Sequence, residues 1–313
     1  MHAAAFSPRG GVAPKTTRLR GQSIIEYVLI IAVIGLVIVF AGPGVAGAIR
    51  NQFSQVTNTV DSGADGGNFM SAEEKAYQKA MKTVVNKDAK DWTLDEQKAA
   101  ATDIAKNGTS SVVYAKAKAA MDAGIKFSAK LTNGKTLEYR IVGINHDDLA
   151  DGSGKAGLTF EATNTALAAQ RMNATNTNAG GWEASELRGR LNTGDLWSLL
   201  PSELQSKVKS VKKMTDNQGG GKAGTPTATT DKVFLLSTTE VYGDLQSDGV
   251  QYEYYKSKGV TKSSYSGASS SNYHWTRSVY PGSSTNFRAV ISGVDYYNHN
   301  ATNTYCVFPA FSF

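Results

Sequence analysis

The sequence predicts an α+β protein in which a long apolar N-terminal helix and a short helical segment precede a mixed α+β globular domain. Three observations carry this reading. An apolar run extends from Ile24 to Ala41, 18 residues, close to the ~20 that cross a bilayer as a helix. Between Ser71 and Gly124 apolar residues recur at helical spacing behind capping signals. From Lys126 onward the period shortens to that of strands, punctuated by Asn-Gly and Gly/Ser-rich turns.

The N-terminal segment carries the most specific signal. Arg9, Lys15, Arg18 and Arg20 form a basic leader without an acidic residue. Such a flank holds its end of the first span in the cytoplasm, which puts everything after Ile49 on the far side. Glu26 is the one charge between Gln22 and Ile49. A carboxylate in a membrane span costs ~2.5–3.5 kcal/mol near the bilayer centre, less near its edge, so it requires a partner. Cleavage after Gly21 would create one, the α-amino group of Gln22, with Glu26 as residue five of the mature chain. Gly42-Pro43-Gly44 weakens or kinks the helix. Beyond it Val45, Ile49, Phe53, Val56 and Val60 line one face of a polar rod, a packing stripe.

Gly21, Gln22, Glu26 and Tyr27, followed by Ile, Leu and Val, resemble the processing and assembly motif of type IV pilins. The short basic leader and the Glu-Tyr pair are most similar to the Flp (Tad) subfamily, over residues 1–60. The resemblance implies a prepilin peptidase cutting between Gly21 and Gln22. It also implies that Glu26 neutralises the terminal amine of a neighbouring subunit in a helical filament, after storage in the membrane. A secretory signal peptide would carry an uncharged core of ~7–15 residues. Ala46-Gly47-Ala48 could then be its cleavage site, but it has no use for Glu26. A simple anchor fits the length and not the Gly-x4-Glu pattern. A pseudopilin of a secretion or uptake machine would share these 60 residues. The expected organisation is leader 1–21, assembly helix 22–60, linker 61–68, helical segment 69–125 and globular domain 126–313.

Composition narrows the remainder. The net charge of +6 includes four leader charges, leaving 6 − 4 = +2 on the mature form, and nothing there calls for a nucleic-acid partner. Lysines alternate with acids as on solvated helix faces. Cys306 is the one cysteine, so no internal disulfide forms, and its thiol is expected buried in a C-terminal strand.

Ser71-Ala-Glu-Glu74 reads as a capping box opening a helix to about Asn86, and Thr93-Leu-Asp-Glu96 opens another that stops at Asn107-Gly108. Ser110 to Gly124 makes a third. Phe127–Leu131, Asn133-Gly134 and Leu137–Ile144 have the signature of a hairpin with a tight Asn-Gly turn. Asp147, Asp148 and Asp151 follow in a loop whose spacing does not match a calcium motif, so the loop is expected to be solvated, with no metal. Gly157–Ala162 is the next strand.

Trp182, Leu187, Arg188, Leu191 and Asn192, then Asp231-Lys-Val-Phe-Leu-Leu-Ser237, Trp275-Thr-Arg277-Ser278 and Val307-Phe-Pro-Ala310 stand in a recognisable order. The series resembles an exported bacterial domain of unknown function akin to the formylglycine-generating-enzyme and C-type-lectin-like group, over about 135–313. The resemblance implies a lectin-like α+β domain with Trp182 and Trp275 in its core and Arg188 and Arg277 in internal hydrogen bonds. Phe308 stands where that family usually has an arginine. Formylglycine chemistry needs two cysteines, and this chain has one. It also lacks Gly-x-Ser-x-Gly, His-Glu-x-x-His and a phosphate loop. Gly219-Gly-Gly221 follows a Lys-rich helix and reads as a linker. No enzyme and no cofactor are expected.

Residues 241–303 are dense in Tyr, Ser, Asn and Gly, the mixture of antibody binding loops. Tyr254, Tyr255, Tyr296 and Tyr297 are the candidate contacts for an extracellular protein or glycan, and the expected function is adhesion from a filament. A decorative shell that binds nothing is the competing expectation.

Overall fold

The computed structural model describes residues 70–243, 246–261, 273–291 and 294–313. The chain divides into two compact units, Met1–Asp61 and Ser62–Phe313, and every described residue lies in the second. The leader, the assembly helix with Gly21, Gln22, Glu26 and Tyr27, and the linker fall outside the described residues. Among those described, no helix is long and apolar enough to cross a membrane.

Helix α1 (Ala72–Val84) starts where Ser71 caps it, its Oγ accepting the Glu74 amide at 3.0 Å. The expected box is half formed, because the Glu74 carboxylate accepts from Gln78 Nε2 instead. Helix α2 (Leu94–Asn107) carries the full box between Thr93 and Glu96, and Gly108 ends it at a φ of 56°. Residues Gly108–Ser110 form a 3₁₀ turn, so α3 (Tyr114–Ala123) begins later than its sequence suggests.

Strands β1 (Lys126–Lys130) and β2 (Thr136–Ile144) form the expected hairpin. Its turn differs from the two-residue type. Gly134 has a positive φ of 83° and Asn133 does not, the geometry of a looser turn closed by one left-handed glycine. With β3 (Leu158–Ala162), β6 (Val233–Phe234) and β10 (Ala310–Ser312) they build an antiparallel sheet of order β1-β2-β3-β10-β6. A second ribbon pairs β4 (Val211–Thr215) with β5 (Thr227–Asp231), and a third sheet joins β7 (His274–Val279), β8 (Asn286–Ile291) and β9 (Val294–Asn300). Short helices α4 (Glu186–Asn192), α5 (Asp195–Ser198), α6 (Ser202–Gln205), α7 (Thr238–Tyr242) and α8 (Glu253–Ser257) fill the connections. The class is mixed α and β with antiparallel sheets.

The helical segment 69–125 is part of this unit. Tyr139 of β2 donates its buried hydroxyl to Gln97 of α2 at 3.0 Å, and Asn145 donates to the Ile104 carbonyl. Gly157 lets β3 approach α2 so closely that a Cβ there would lie 1.8 Å from the Ala101 oxygen. Ala101, Ile104, Ala117 and Met121 belong to the same apolar core as Phe160 and Phe311. The boundary expected at residue 126 therefore moves: cutting there would expose one side of the main sheet.

Candidate functional site

Of the residues singled out by motif, Trp182, Leu187, Trp275 and Arg277 are buried, and Arg188 and Asn192 are half-buried. Trp182 donates Nε1 to Asp231 Oδ2 at 3.1 Å, while Arg188 Nε donates to Asp231 Oδ1 at 2.6 Å. Asn192 closes the cluster, accepting the Lys232 amide and donating to the Val233 carbonyl. Leu187 sits in the core beneath them, and Trp275 donates to the Gln170 carbonyl. These side chains bolt α4 to the β5–β6 junction.

Arg277 is the hub of a second buried cluster. It donates to Thr215 Oγ1, to the carbonyls of Leu235, Met214 and Asp248, and with both terminal nitrogens to the Glu240 carboxylate. Glu240 stands where the Ser237 capping box of α7 puts it. Lys213 of β4 reaches Glu240 Oε1 and Asp147 Oδ1, each at 2.6 Å, and donates to the Tyr252 hydroxyl at 2.9 Å. Thr159 and Tyr252 donate in turn to Asp147. Burial would raise the Asp147 carboxyl, but the Lys213 ammonium, then His146 and the Thr159 hydroxyl, bring it down to about 2. Glu240 is likewise pulled against its burial by Arg277 and Lys213, to below the ordinary range. Two cations thus face two anions in a place closed to solvent. Asp147 is a core ion, contrary to the expectation of a solvated loop, while Asp148 and Asp151 are exposed. Among the described residues no group of three His, Cys, Asp or Glu side chains is placed to hold a metal.

Apart from Asp147, these clusters lie within residues 156–313, which match the family model of a domain of unknown function, DUF6273. The match spans half of the chain. The chain belongs to the DUF6273 family. Neither a curated protein nor a solved structure matches it. The matched residues start just before β3, so α1 to α3 and β1–β2 complete the core of the DUF6273 unit from outside the family's bounds. Phe308, at the position of the expected arginine, is buried with its ring 4.6 Å from that of His274.

The tyrosines selected from the sequence lie in regular structure. Tyr254 and Tyr255 lie on α8 and are buried, with the Arg140 guanidinium 4.1 Å from the Tyr254 ring centroid and the Tyr255 hydroxyl donating to Glu161 at 2.6 Å. Tyr296 and Tyr297 belong to strand β9, their backbones paired with Val290 and Ala289, and not to a loop. Much of 241–303 is regular structure, because the Tyr that suggests adaptable loops is equally a good strand former.

A different aromatic cluster faces outward. Backbone bonds from the Cys306 amide to the Tyr273 carbonyl, and from the Trp275 amide to the Cys306 carbonyl, set the two chain segments side by side. Tyr273 (47% exposed) and half-buried Tyr305 then have ring centroids 6.1 Å apart. Trp275 packs edge-on beneath Tyr305 at 4.9 Å. His299 Nδ1 is 2.9 Å from the Tyr305 hydroxyl, which also accepts from Asn303. Burial holds the imidazole below its ordinary range, hence neutral at pH 7. Cys306 lies beside this face, half-buried and outside β10, its thiol raised by burial. Rigid rings with polar edges, supported by a buried tryptophan, can stack on a flat ligand and hydrogen-bond its rim. Tyr305 lies two residues beyond the Tyr-rich stretch, and no sequence signal pairs it with Tyr273.

Proposed function

We propose that this chain is a pilin-like subunit of a Tad- or type IV-type surface filament that displays its DUF6273 unit for adhesion. The observation that carries the reading is the Gly21-x4-Glu26 pattern behind a basic leader and ahead of an apolar run. It is supported by the position of the compact unit, which begins at Ser62, directly after that segment. On this reading the protein is held in the cytoplasmic membrane before assembly and on the cell surface afterwards. Its partners are a prepilin peptidase and other copies of the pilin helix. We read the unit as lectin-like, with the Tyr273–Tyr305 face as its contact with an extracellular protein or glycan. Display along a fibre raises weak single-site binding by ~100- to 10,000-fold through multivalency, so one small aromatic face suffices.

The N-terminus tests the processing. Intact-mass measurement or sequencing of surface-extracted protein is expected to begin at Gln22, free or cyclised. A start at Ile49 would instead identify a signal peptide. The adhesive face is tested by replacing Tyr273 and Tyr305 together with Ala. Adhesion of cells to host or partner surfaces is expected to drop by at least tenfold, with filament number unchanged. Undiminished adhesion would reduce the face to packing.

A further inference from the structure

A second feature lies away from the aromatic face, between α1, α2 and the segment after α6. There the surface folds in around a cleft of about 590 Å³. Four lysines line it: Lys98 and Lys106 of α2, with Lys207 and Lys209. Lys207 is neutralised by Asp95 at 2.7 Å. Lys98, Lys106 and Lys209 have no acidic side chain within ion-pairing distance among the described residues. Glu73 lies near Lys98 without pairing to it, and Glu74, which accepts from the neutral Gln78 amide, keeps its charge, so three unpaired ammonium groups share the lining with two unpaired carboxylates. Three hydroxyls of the cleft are occupied as donors, Tyr77 to Asp103, Thr102 to the Lys98 carbonyl and Ser206 to the Glu203 carbonyl, while Ser71 Oγ accepts the Glu74 amide. The charged donors are the ammonium groups, and they repel one another. Partial burial and then the Lys209 ammonium, with Lys207 behind it, push the Lys98 amine down to about 8 against the pull of Glu73. An excess of cations around a cavity is relieved by an anion.

We propose that this cleft binds a small multivalent oxyanion, phosphoryl or carboxylate in type, held between Lys98 and Lys209 with Lys106 at the rim. Inorganic phosphate, sulfate and citrate, titrated into the detergent-solubilised full chain at constant ionic strength, provide the test. At least one is expected to bind saturably at one site, and the ranking of phosphate against citrate distinguishes the two chemistries. K98Q and K209Q, at half-buried and exposed positions, are each expected to weaken binding by about tenfold or more. Sulfate keeps its charge across the range and reads the linkage. Binding requires the protonated amine, so affinity is expected to fall about tenfold from pH 7 to pH 9, one unit above the Lys98 midpoint.

A second measurement does not depend on binding strength. Mass-spectrometric amine labelling against pH should place the Lys98 midpoint near 8 in the free chain. Bound anion should lift it toward the ordinary lysine range, and K209Q should lift it without anion. Three results overturn the proposal: no saturable binding of any of the three anions, undiminished binding in both variants, or a Lys98 midpoint above 10 in the free wild-type chain.

Discussion

Replacing Lys213 with methionine is expected to destabilise the unit spanning 62–313 by about 3–5 kcal/mol, the cost of breaking a buried ion pair from one side. The side chain is almost wholly enclosed and contacts two carboxylates at once. Methionine fills much of the same volume, so the loss is electrostatic and not a cavity. Asp147 and Glu240 would then lose their shared ammonium, with Arg277 on Glu240 and His146 beside Asp147 left to compensate. A domain's whole stability is about 5–15 kcal/mol, so a deficit of that size shows directly in chemical denaturation.

The pH dependence separates this from a packing defect. In the wild type the depressed carboxyl of Asp147 contributes stability that is fully present above its unfolded value near 3.8 and is lost as pH falls toward 2. Without Lys213, burial pushes the same carboxyl upward. The variant's deficit is therefore expected to shrink as pH drops from 7 to 4, because a protonated Asp147 needs no cation. A deficit below 1 kcal/mol, or one constant with pH, would show that the cluster is held by packing alone.

The other large effect concerns assembly. On the proposed reading, Glu26→Ala abolishes filaments while leaving the protein in the membrane and the DUF6273 unit folded. A carboxylate is tolerated in a span only with a partner. The free amine of a processed neighbour is a partner that exists only in the assembled bundle. The apolar run from Ile24 to Ala41 keeps its hydrophobicity in the variant, so membrane retention is unaffected. Electron microscopy of cell surfaces gives the filament count, and membrane fractionation with proteolysis reports retention and folding. Normal filaments from the variant would remove Glu26 from assembly and leave a simple anchor as the better reading.

Local signals read from the sequence survive where the physics is local. The Thr93–Glu96 box, Gly108 as a helix stop and the β1–β2 hairpin need only neighbouring residues, and each is present. The same kind of reading misses where a distant group competes. Asp147 finds Lys213 66 residues away, and Tyr255 finds Glu161 across 94. Composition misled for Tyr254 and Tyr255, because a tyrosine beside a buried Arg140 and Glu161 is a core residue with a polar end.

From residue order alone came the mixed α and β class and the capped helices, each written in short-range spacing or period, and the Gly21-x4-Glu26 pattern on which the proposed function rests. So did the motif residues Trp182, Arg188, Trp275 and Arg277, legible through their order along the chain. Tertiary structure alone decided that the helices of 69–125 share the sheet's core, that Lys213 neutralises two buried acids, and that Tyr273 and Tyr305 meet at the surface. Those facts depend on contacts between residues far apart in the chain. Burial changes the strength and sign of such contacts, and a one-dimensional pattern carries no record of which residues burial brings together.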